Sequence, residues 1–171
     1  MPCRRVTVVA ALSLALTCAA PAPEARDDRC GSLRRPHLLV LLEQHQLLQC
    51  QNGKQEGPAF SVRIGASGYG KRKSGDRKTP VGEYSLGPIR RSKPYGWFIP
   101  IGYPTPMQRQ LGYTGGAVGV HGPDRRVRWL GGAVNWFDTT DGCVGLAHDE
   151  DVQRIGAWAK ASQAKVIRLE P

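Results

Sequence analysis

The sequence is poor in aromatic residues and acids, and it has no internal repeat and no long hydrophobic run. Phe, Trp and Tyr make up 7% of the 171 residues, and no period of 20 to 50 residues recurs, which excludes solenoids and propellers. Asp and Glu total 14 against 24 Lys and Arg, giving a formal net charge of +10. A basic chain suits nucleic acid, anionic lipid or an acidic polymer as partner, and the charge alone does not choose among them.

The longest apolar stretch, 6–16, lies near the N-terminus and is shorter than the ~20 residues of a membrane span. It follows Arg4 and Arg5 and precedes small residues, a pattern that predicts a secretory signal peptide over 1–20. A retained anchor and lipidation at Cys18 are the alternatives. We therefore expect an exported protein of the periplasm or cell envelope, with no membrane span after cleavage. Loss of the two arginines lowers the net charge from +10 to +8.

The five cysteines are an odd number, and export accounts for two of them. Removal of the leader takes away Cys3 and Cys18 and leaves Cys30, Cys50 and Cys143. In an oxidising compartment two of these three are expected to pair, and one thiol stays free.

Glycine and proline together supply 34 of the 171 residues (21 Gly and 13 Pro), which disfavours a helical bundle because both residues break helix interiors. Apolar and alternating segments instead predict strands, and Asn52-Gly53 predicts a tight hairpin turn. The predicted strands are 37–42, 47–50, 60–64, 81–86, 117–120 and 165–169. We therefore expect a mainly β domain.

A polar linker over 21–36 separates the leader from one domain over 37–171. The proline-rich segment 87–116 predicts loops and short strands without helix, with aromatic residues such as Tyr103 lining a cleft. Apolar residues at helical spacing, with three acids in the first turn, predict one helix from 149 to about 162.

Two common kinds of site are disfavoured by the sequence. Gly65 to Lys71 matches the pattern of a phosphate-binding loop, but Arg72 stands where magnesium binding needs Ser or Thr, so no nucleotide is expected. The pairs C-x-x-C and H-x-x-x-H are absent from the sequence, so neither a metal nor another cofactor is predicted.

A cysteine and a histidine form the better candidate site. His121-Gly122 ends a predicted strand, and Thr140-Asp141-Gly142-Cys143-Val144 follows downstream. A histidine can take the thiol proton if an acceptor holds its other ring nitrogen, and nearby backbone N–H groups can bind an oxyanion. The pattern is typical of acyl transfer, although a structural cysteine beside a turn histidine is the commoner occurrence.

The sequence resembles the L,D-transpeptidase catalytic domain family, also called YkuD-like. The family motif of His-Gly followed by Ser/Thr-x-Gly-Cys and an aliphatic residue matches here. The segment from Gly75 to Tyr84, GDRKTPVGEY, resembles the family's upstream G-D-x-x-T-P-x-G-x-[FY]. The resemblance covers about 37–169 and implies a small β-sandwich with the site at one edge.

The resemblance also implies roles for single residues. Cys143 would be the nucleophile and His121 its base, held by a backbone carbonyl near Gly122, while Asp141, Gly142 and Cys143 would offer oxyanion-binding amides. Thr140 stands where Ser or Thr is usual. The substrates would be peptidoglycan stem peptides, whose acyl group passes through a thioester to an amine; no nucleic acid, nucleotide or cofactor is implied. The other two exported cysteines, Cys30 and Cys50, are then expected to pair, with two free thiols as the alternative.

The chain departs from the family pattern at two positions: Asp141, where many members have histidine, and Gly145, where an arginine is common. A subgroup of the family has a small residue there, and some of its relatives cleave peptidoglycan bonds. Arg125, Arg126 or Arg128 could replace the missing guanidinium, from an insert over 123–137 that is expected to wall or cover the site. A hydrolase (an amidase or L,D-carboxypeptidase) and a non-catalytic envelope-binding module therefore stand as alternatives.

Overall fold

The computed structural model describes residues 28–31, 33–126 and 128–171, without the side chains of 28, 128 and 134–136. The predicted signal peptide lies outside the described residues, as does half of the predicted linker. Among the helices of the described ranges, none is both long and apolar enough to cross a membrane.

Two β-sheets and few helices make up the described part of the chain, which confirms the predicted fold class. The strands are β1 (His37–Leu41), β2 (Gln46–Gln51), β3 (Lys54–Gln55), β4 (Phe60–Ser61), β5 (Gly82–Ser85), β6 (Arg90–Ser92), β7 (Gly96–Pro100), β8 (Gly119–His121), β9 (Val144–Gly145) and β10 (Val166–Glu170). The α-helices are α1 (Pro106–Gln110) and α2 (Asp149–Ser162), and 3-10 turns occupy Asp28–Cys30 and Arg128–Trp136.

The larger sheet has the order β3-β2-β1-β10-β5, with β4 beside β2. Its central strand β1 is buried along its whole length, because both of its faces are covered. One face carries Leu38 and Val40 into the main core between the sheets, and the other packs Leu39 and Leu41 in a smaller cluster with the Cys30–Cys50 pair.

The predicted disulfide is present and joins Cys30 to Cys50 with a Cα–Cα distance of 5.6 Å. It ties the 3-10 turn before β1 to strand β2, while Cys143 is a free thiol. The predicted turn at Asn52-Gly53 is also present, and both residues have positive φ (54° and 74°) where β2 turns into β3.

The smaller sheet has the order β6-β7-β8-β9 and positions the candidate site. Strands β8 and β9 run parallel, with Val120 opposite Val144 and His121 opposite Gly145. Cys143 directly precedes β9. This register sets Cys143 beside Gly119, two residues before His121, so the two motifs lie at the same edge of the smaller sheet.

Helix α2 is found where it is predicted and packs on β7 and β8 through Val152 and Ile155. The expectation of no helix in 87–116 is wrong for α1, a short helix. Pro106 occupies its first turn, where no N–H bond is lost, and Thr105 caps it by accepting from the Gln108 N–H at 3.2 Å. Proline therefore starts this helix instead of preventing it.

Candidate active site

Cys143 and His121 line one cavity of about 210 Å³ at the edge of the smaller sheet. The lining residues come from the end of β8, the segment before β9, the loop before β7 and the segment that follows β4. They are Arg63, Tyr95, His121, Asp124, Thr139, Thr140, Asp141 and Cys143. The sequence motifs at 121 and 140–144, which are 22 positions apart at their key residues, thus meet in one site.

The His121 imidazole is buried and held on two sides. Its Nδ1 lies 2.6 Å from the carbonyl oxygen of Gly122, which can only accept, so Nδ1 carries the hydrogen. The ring stacks on Tyr95 with centroids 3.8 Å apart and planes 22° apart. The other nitrogen, Nε2, is thereby left in the form that accepts a proton.

Gly122 owes its place to close packing against the first turn of α2. A Cβ at this position would overlap Oδ1 of Asp149 and lie 3.1 Å from the Tyr95 carbonyl oxygen. Any larger residue would displace the carbonyl that holds His121. The absence of a side chain at Gly122 therefore allows α2 to pack against it, and this packing positions the carbonyl that holds His121.

The Cys143 thiol is half-buried and donates to the carbonyl oxygen of Ala117, with Sγ 3.6 Å away. Burial raises the pKa of this thiol, and the negative charge of Asp141 adds to the rise. The backbone N–H of Gly119 and the Lys71 ammonium act in the opposite direction without cancelling it. The thiol is consequently protonated at neutral pH.

Burial also lowers the pKa of His121, to about 4, and the nearby Arg63 guanidinium contributes to this fall. The Gly122 hydrogen bond and Asp124 oppose the fall and only limit it. At neutral pH the site accordingly holds a neutral thiol and a neutral imidazole. Such a pair is suited to proton transfer during attack rather than to a preformed thiolate.

The turn from Thr140 to Cys143 is held by the threonine hydroxyl. Oγ1 donates to the Cys143 carbonyl at 2.7 Å and accepts from the Gly142 N–H at 3.1 Å. Gly142 has φ +121°, and a Cβ on it would overlap the carbonyl oxygen of Lys78. The Gly142 N–H expected to bind an oxyanion is therefore engaged by Thr140 in this structure.

The upstream motif GDRKTP supports that turn from below. Asp76 accepts from Lys71 Nζ at 2.7 Å and from three backbone N–H groups of its own loop. Thr79 Oγ1 accepts from the Gly65 N–H at 2.8 Å. The loop so formed presents the Lys78 carbonyl to Gly142. None of these motif side chains lines the cavity, so the motif stabilises the neighbouring turn and does not contact the cavity itself.

The residues predicted to contact substrate are divided by the structure. Thr140 lines the cavity, whereas Tyr103 is buried in the core and its hydroxyl donates to the Lys71 carbonyl at 3.2 Å. Arg125 is exposed, with its backbone N–H bonded to Pro94, and it does not line the cavity. The side chain of Arg128 lies outside the described part of the chain.

Four cavity residues were not singled out as site residues from the sequence: Arg63, Tyr95, Asp124 and Thr139. Arg63 sits in the alternating segment 60–64, where a charged residue predicts a solvent-facing position, yet it is only 4% exposed. No local signal marks it, because its place depends on the strand that it faces. In the described ranges, His, Cys, Asp and Glu side chains form no group of three or more that could hold a metal ion.

Comparison with known proteins places the chain in a family. The profile of the L,D-transpeptidase catalytic domain (YkuD) matches residues 35–167, which is most of the chain. The chain belongs to this family. No curated protein sequence matches significantly.

Two solved structures share the fold of this L,D-transpeptidase domain. The helical cell shape determining protein Pgp2 from Campylobacter jejuni superposes with a TM-score of 0.61 at 24% identity, covering 80% of this chain and 47% of Pgp2. Bd1075 from Bdellovibrio bacteriovorus superposes with a TM-score of 0.55 at 20% identity, covering 80% of this chain and 48% of Bd1075. The chain thus spans about half the length of these two proteins.

Proposed function

We propose that the protein is an exported cysteine enzyme that forms an acyl-thioester with peptidoglycan stem peptides and transfers the acyl group to an amine. The observation that carries this proposal is the hydrogen bond from His121 Nδ1 to Gly122, which leaves Nε2 as an acceptor in the cavity that holds the Cys143 thiol. Membership of the L,D-transpeptidase family supports the substrate class. The disulfide and the basic charge fit an oxidising cell envelope with an acidic polymer.

In the first half-reaction the Cys143 sulfur attacks a stem-peptide carbonyl carbon while its proton passes to His121 Nε2. The backbone N–H groups of Asp141 and Cys143 bind the oxyanion, since the N–H of Gly142 donates to Thr140. The C–N bond then breaks, and His121 returns the proton to the departing D-alanine amine. An acyl-thioester on Cys143 remains.

In the second half-reaction an acceptor amine attacks the thioester and gives a proton to His121. The C–S bond breaks and the thiolate takes that proton back, which restores the thiol. Water in place of the amine would give hydrolysis by the same steps. Hydrolysis by an L,D-carboxypeptidase or amidase is the second candidate function. Gly145 supports it, because a small residue at this position accompanies cleavage in part of the family.

Product masses test transfer against hydrolysis. A purified stem tetrapeptide is incubated with the enzyme, with and without a D-amino acid as acceptor. We expect the exchanged tetrapeptide when acceptor is present and no product with Cys143→Ala. Tripeptide alone under both conditions would establish the hydrolase, and equal turnover by Cys143→Ala would contradict any cysteine enzyme and favour a binding module.

A further inference from the structure

Arg63 lies directly opposite Gly145, where this chain lacks the arginine common in its family. The two residues form an isolated antiparallel bridge, with N···O distances of 2.9 Å in both directions. Residues paired in this way project their side chains from the same face of a sheet, with Cα atoms about 5.5 Å apart. A side chain at 63 can therefore reach the space that a side chain at 145 would use.

The Arg63 side chain does fill that space. A Cβ added to Gly145 would overlap Nε of Arg63 and lie 2.8 Å from its Cγ and 3.2 Å from its Cδ. Because the contact involves the stem of the side chain as well as its head, a small shift would not relieve it. The Arg63 side chain can thus occupy this space because residue 145 has no side chain.

The guanidinium reaches the reaction site although the side chain is only 4% exposed. Arg63 lines the cavity with Cys143, and its charge contributes to the low pKa of His121. Asp124 and Asp141 are the charged residues that line the cavity with it, so Arg63 is the one permanent cation among the described lining residues. Its planar fork of donors matches a carboxylate, and burial fixes the fork before a ligand arrives.

We propose that Arg63 binds a carboxylate of the substrate beside Cys143, and so supplies from the facing strand the guanidinium that other members carry at 145. This inference rests on the proposed function, because the stem peptide is the source of the carboxylate. The stem peptide offers two carboxylates as ligands for Arg63. One is the terminal carboxylate of the departing D-alanine, and the other is on the diamino acid whose carbonyl is attacked. The role is one of substrate binding and selectivity.

The experiment compares three tetrapeptides: the free acid, its C-terminal amide, and a peptide with lysine in place of the diamino dicarboxylic acid. The wild-type enzyme is expected to process one of the two altered peptides about 10- to 100-fold less well, chiefly through KM, and that peptide identifies the carboxylate. Arg63→Met should process the free acid and that altered peptide at equal rates. Arg154→Met, which removes an exposed arginine on α2, should leave the discrimination unchanged.

Iodoacetamide alkylation of Cys143, which needs no carboxylate, shows whether Arg63→Met still presents a reactive thiol, and any change in thiol reactivity affects all three peptides equally and leaves their ratio as the readout. Should Arg63→Met fail to fold, Arg63→Lys keeps the stem and one charge, and it should show reduced discrimination. The double variant Arg63→Ala with Gly145→Arg moves the guanidinium across the bridge. It should recover part of the discrimination between the free acid and the altered peptide.

Two results would overturn the inference: a wild-type enzyme indifferent to both carboxylates, or an Arg63→Met or Arg63→Lys variant that discriminates like the wild type. Either result leaves the proposed function standing as long as the free acid is turned over and Cys143→Ala is inactive. Loss of turnover on every peptide by the wild type would instead count against the proposed function.

Discussion

The Tyr95 ring lies flat against the His121 imidazole, with centroids 3.8 Å apart and planes 22° apart. Together with the Gly122 carbonyl at Nδ1, this stacking fixes both the plane and the rotation of the histidine ring. The remaining nitrogen can then point in only one direction. The accuracy of the Cys143–His121 pair therefore depends on a residue outside the sequence motifs.

Removing the Tyr95 ring should impair catalysis without unfolding the protein. Tyr95→Ala is expected to lower kcat by about 100-fold, because a base displaced by about 1 Å loses most of its advantage. Tyr95→Phe keeps the stacking and is the matched control, expected to stay near the wild type. Steady-state kinetics on the tetrapeptide, with thermal unfolding recorded for each variant, would check this. Equal losses in both variants would assign the effect to the hydroxyl instead.

The acid side of the pH profile should reflect a histidine that burial keeps neutral. Because burial lowers the pKa of His121 to about 4, the base is available above that pH and is lost only as the pH falls through it. We expect kcat/KM for the tetrapeptide to hold down to about pH 5 and to decline near pH 4. An acid limb close to 6.5, the value of an exposed histidine, would contradict the burial argument.

Asp76 should be a principal stabiliser of the loop that packs against the turn from Thr140 to Cys143. Burial opposes its ionisation, but Lys71 and backbone N–H groups outweigh this and hold the pKa of the carboxyl well below its usual range. Asp76→Asn leaves the 4% exposed Lys71 side chain without its counterion and is expected to cost about 3 kcal/mol of unfolding free energy.

Urea denaturation at pH 7 would measure that loss, with Glu56→Gln as an exposed control expected within about 0.5 kcal/mol of wild type. The pH dependence provides a second check. Since the folded-state pKa of Asp76 is depressed, its contribution is complete above the carboxyl's ordinary pKa and is lost as the pH falls below it. A variant as stable as the wild type at pH 7 would show that the ion pair contributes nothing.

The Cys30–Cys50 disulfide closes a loop with a sequence separation of 20 residues, and neither cysteine lines the cavity. The chain-entropy relation gives about 3 kcal/mol for a loop of this size. We expect Cys30→Ser with Cys50→Ser to lower the unfolding free energy by that amount while kcat/KM stays unchanged. Reduction of the wild type with dithiothreitol should lower its urea midpoint equally. An unchanged midpoint would show that the bond is dispensable.

Local patterns in the sequence predicted the elements that depend on local chemistry. The helix Asp149–Ser162 and the Asn52-Gly53 turn follow from spacing and backbone preference, and both are present. The Cys30–Cys50 pair, which is also present, was expected because export leaves three cysteines and Cys143 is the candidate nucleophile. The pairing of the His-Gly and Gly-Cys segments was expected from the family resemblance, because a gap of 22 residues says nothing about contact.

The features that the sequence did not predict depend on which strand faces which. The local alternation predicts that Arg63 faces solvent, but its pairing with Gly145 buries the side chain. His37 is likewise polar, yet it is fully buried in β1, which has cover on both faces. In each case a tertiary neighbour overrides the local preference.

Intact-protein mass spectrometry of the enzyme quenched with acid during turnover of the tetrapeptide tests the central claim most directly. The account predicts a mass increase equal to the tripeptide acyl group, mapped by peptide digestion to Cys143 and absent in Cys143→Ala. It also predicts that the adduct fails to accumulate in His121→Asn, which lacks the base. Turnover with no adduct at any quench time, matched by undiminished turnover in Cys143→Ala, would contradict the account.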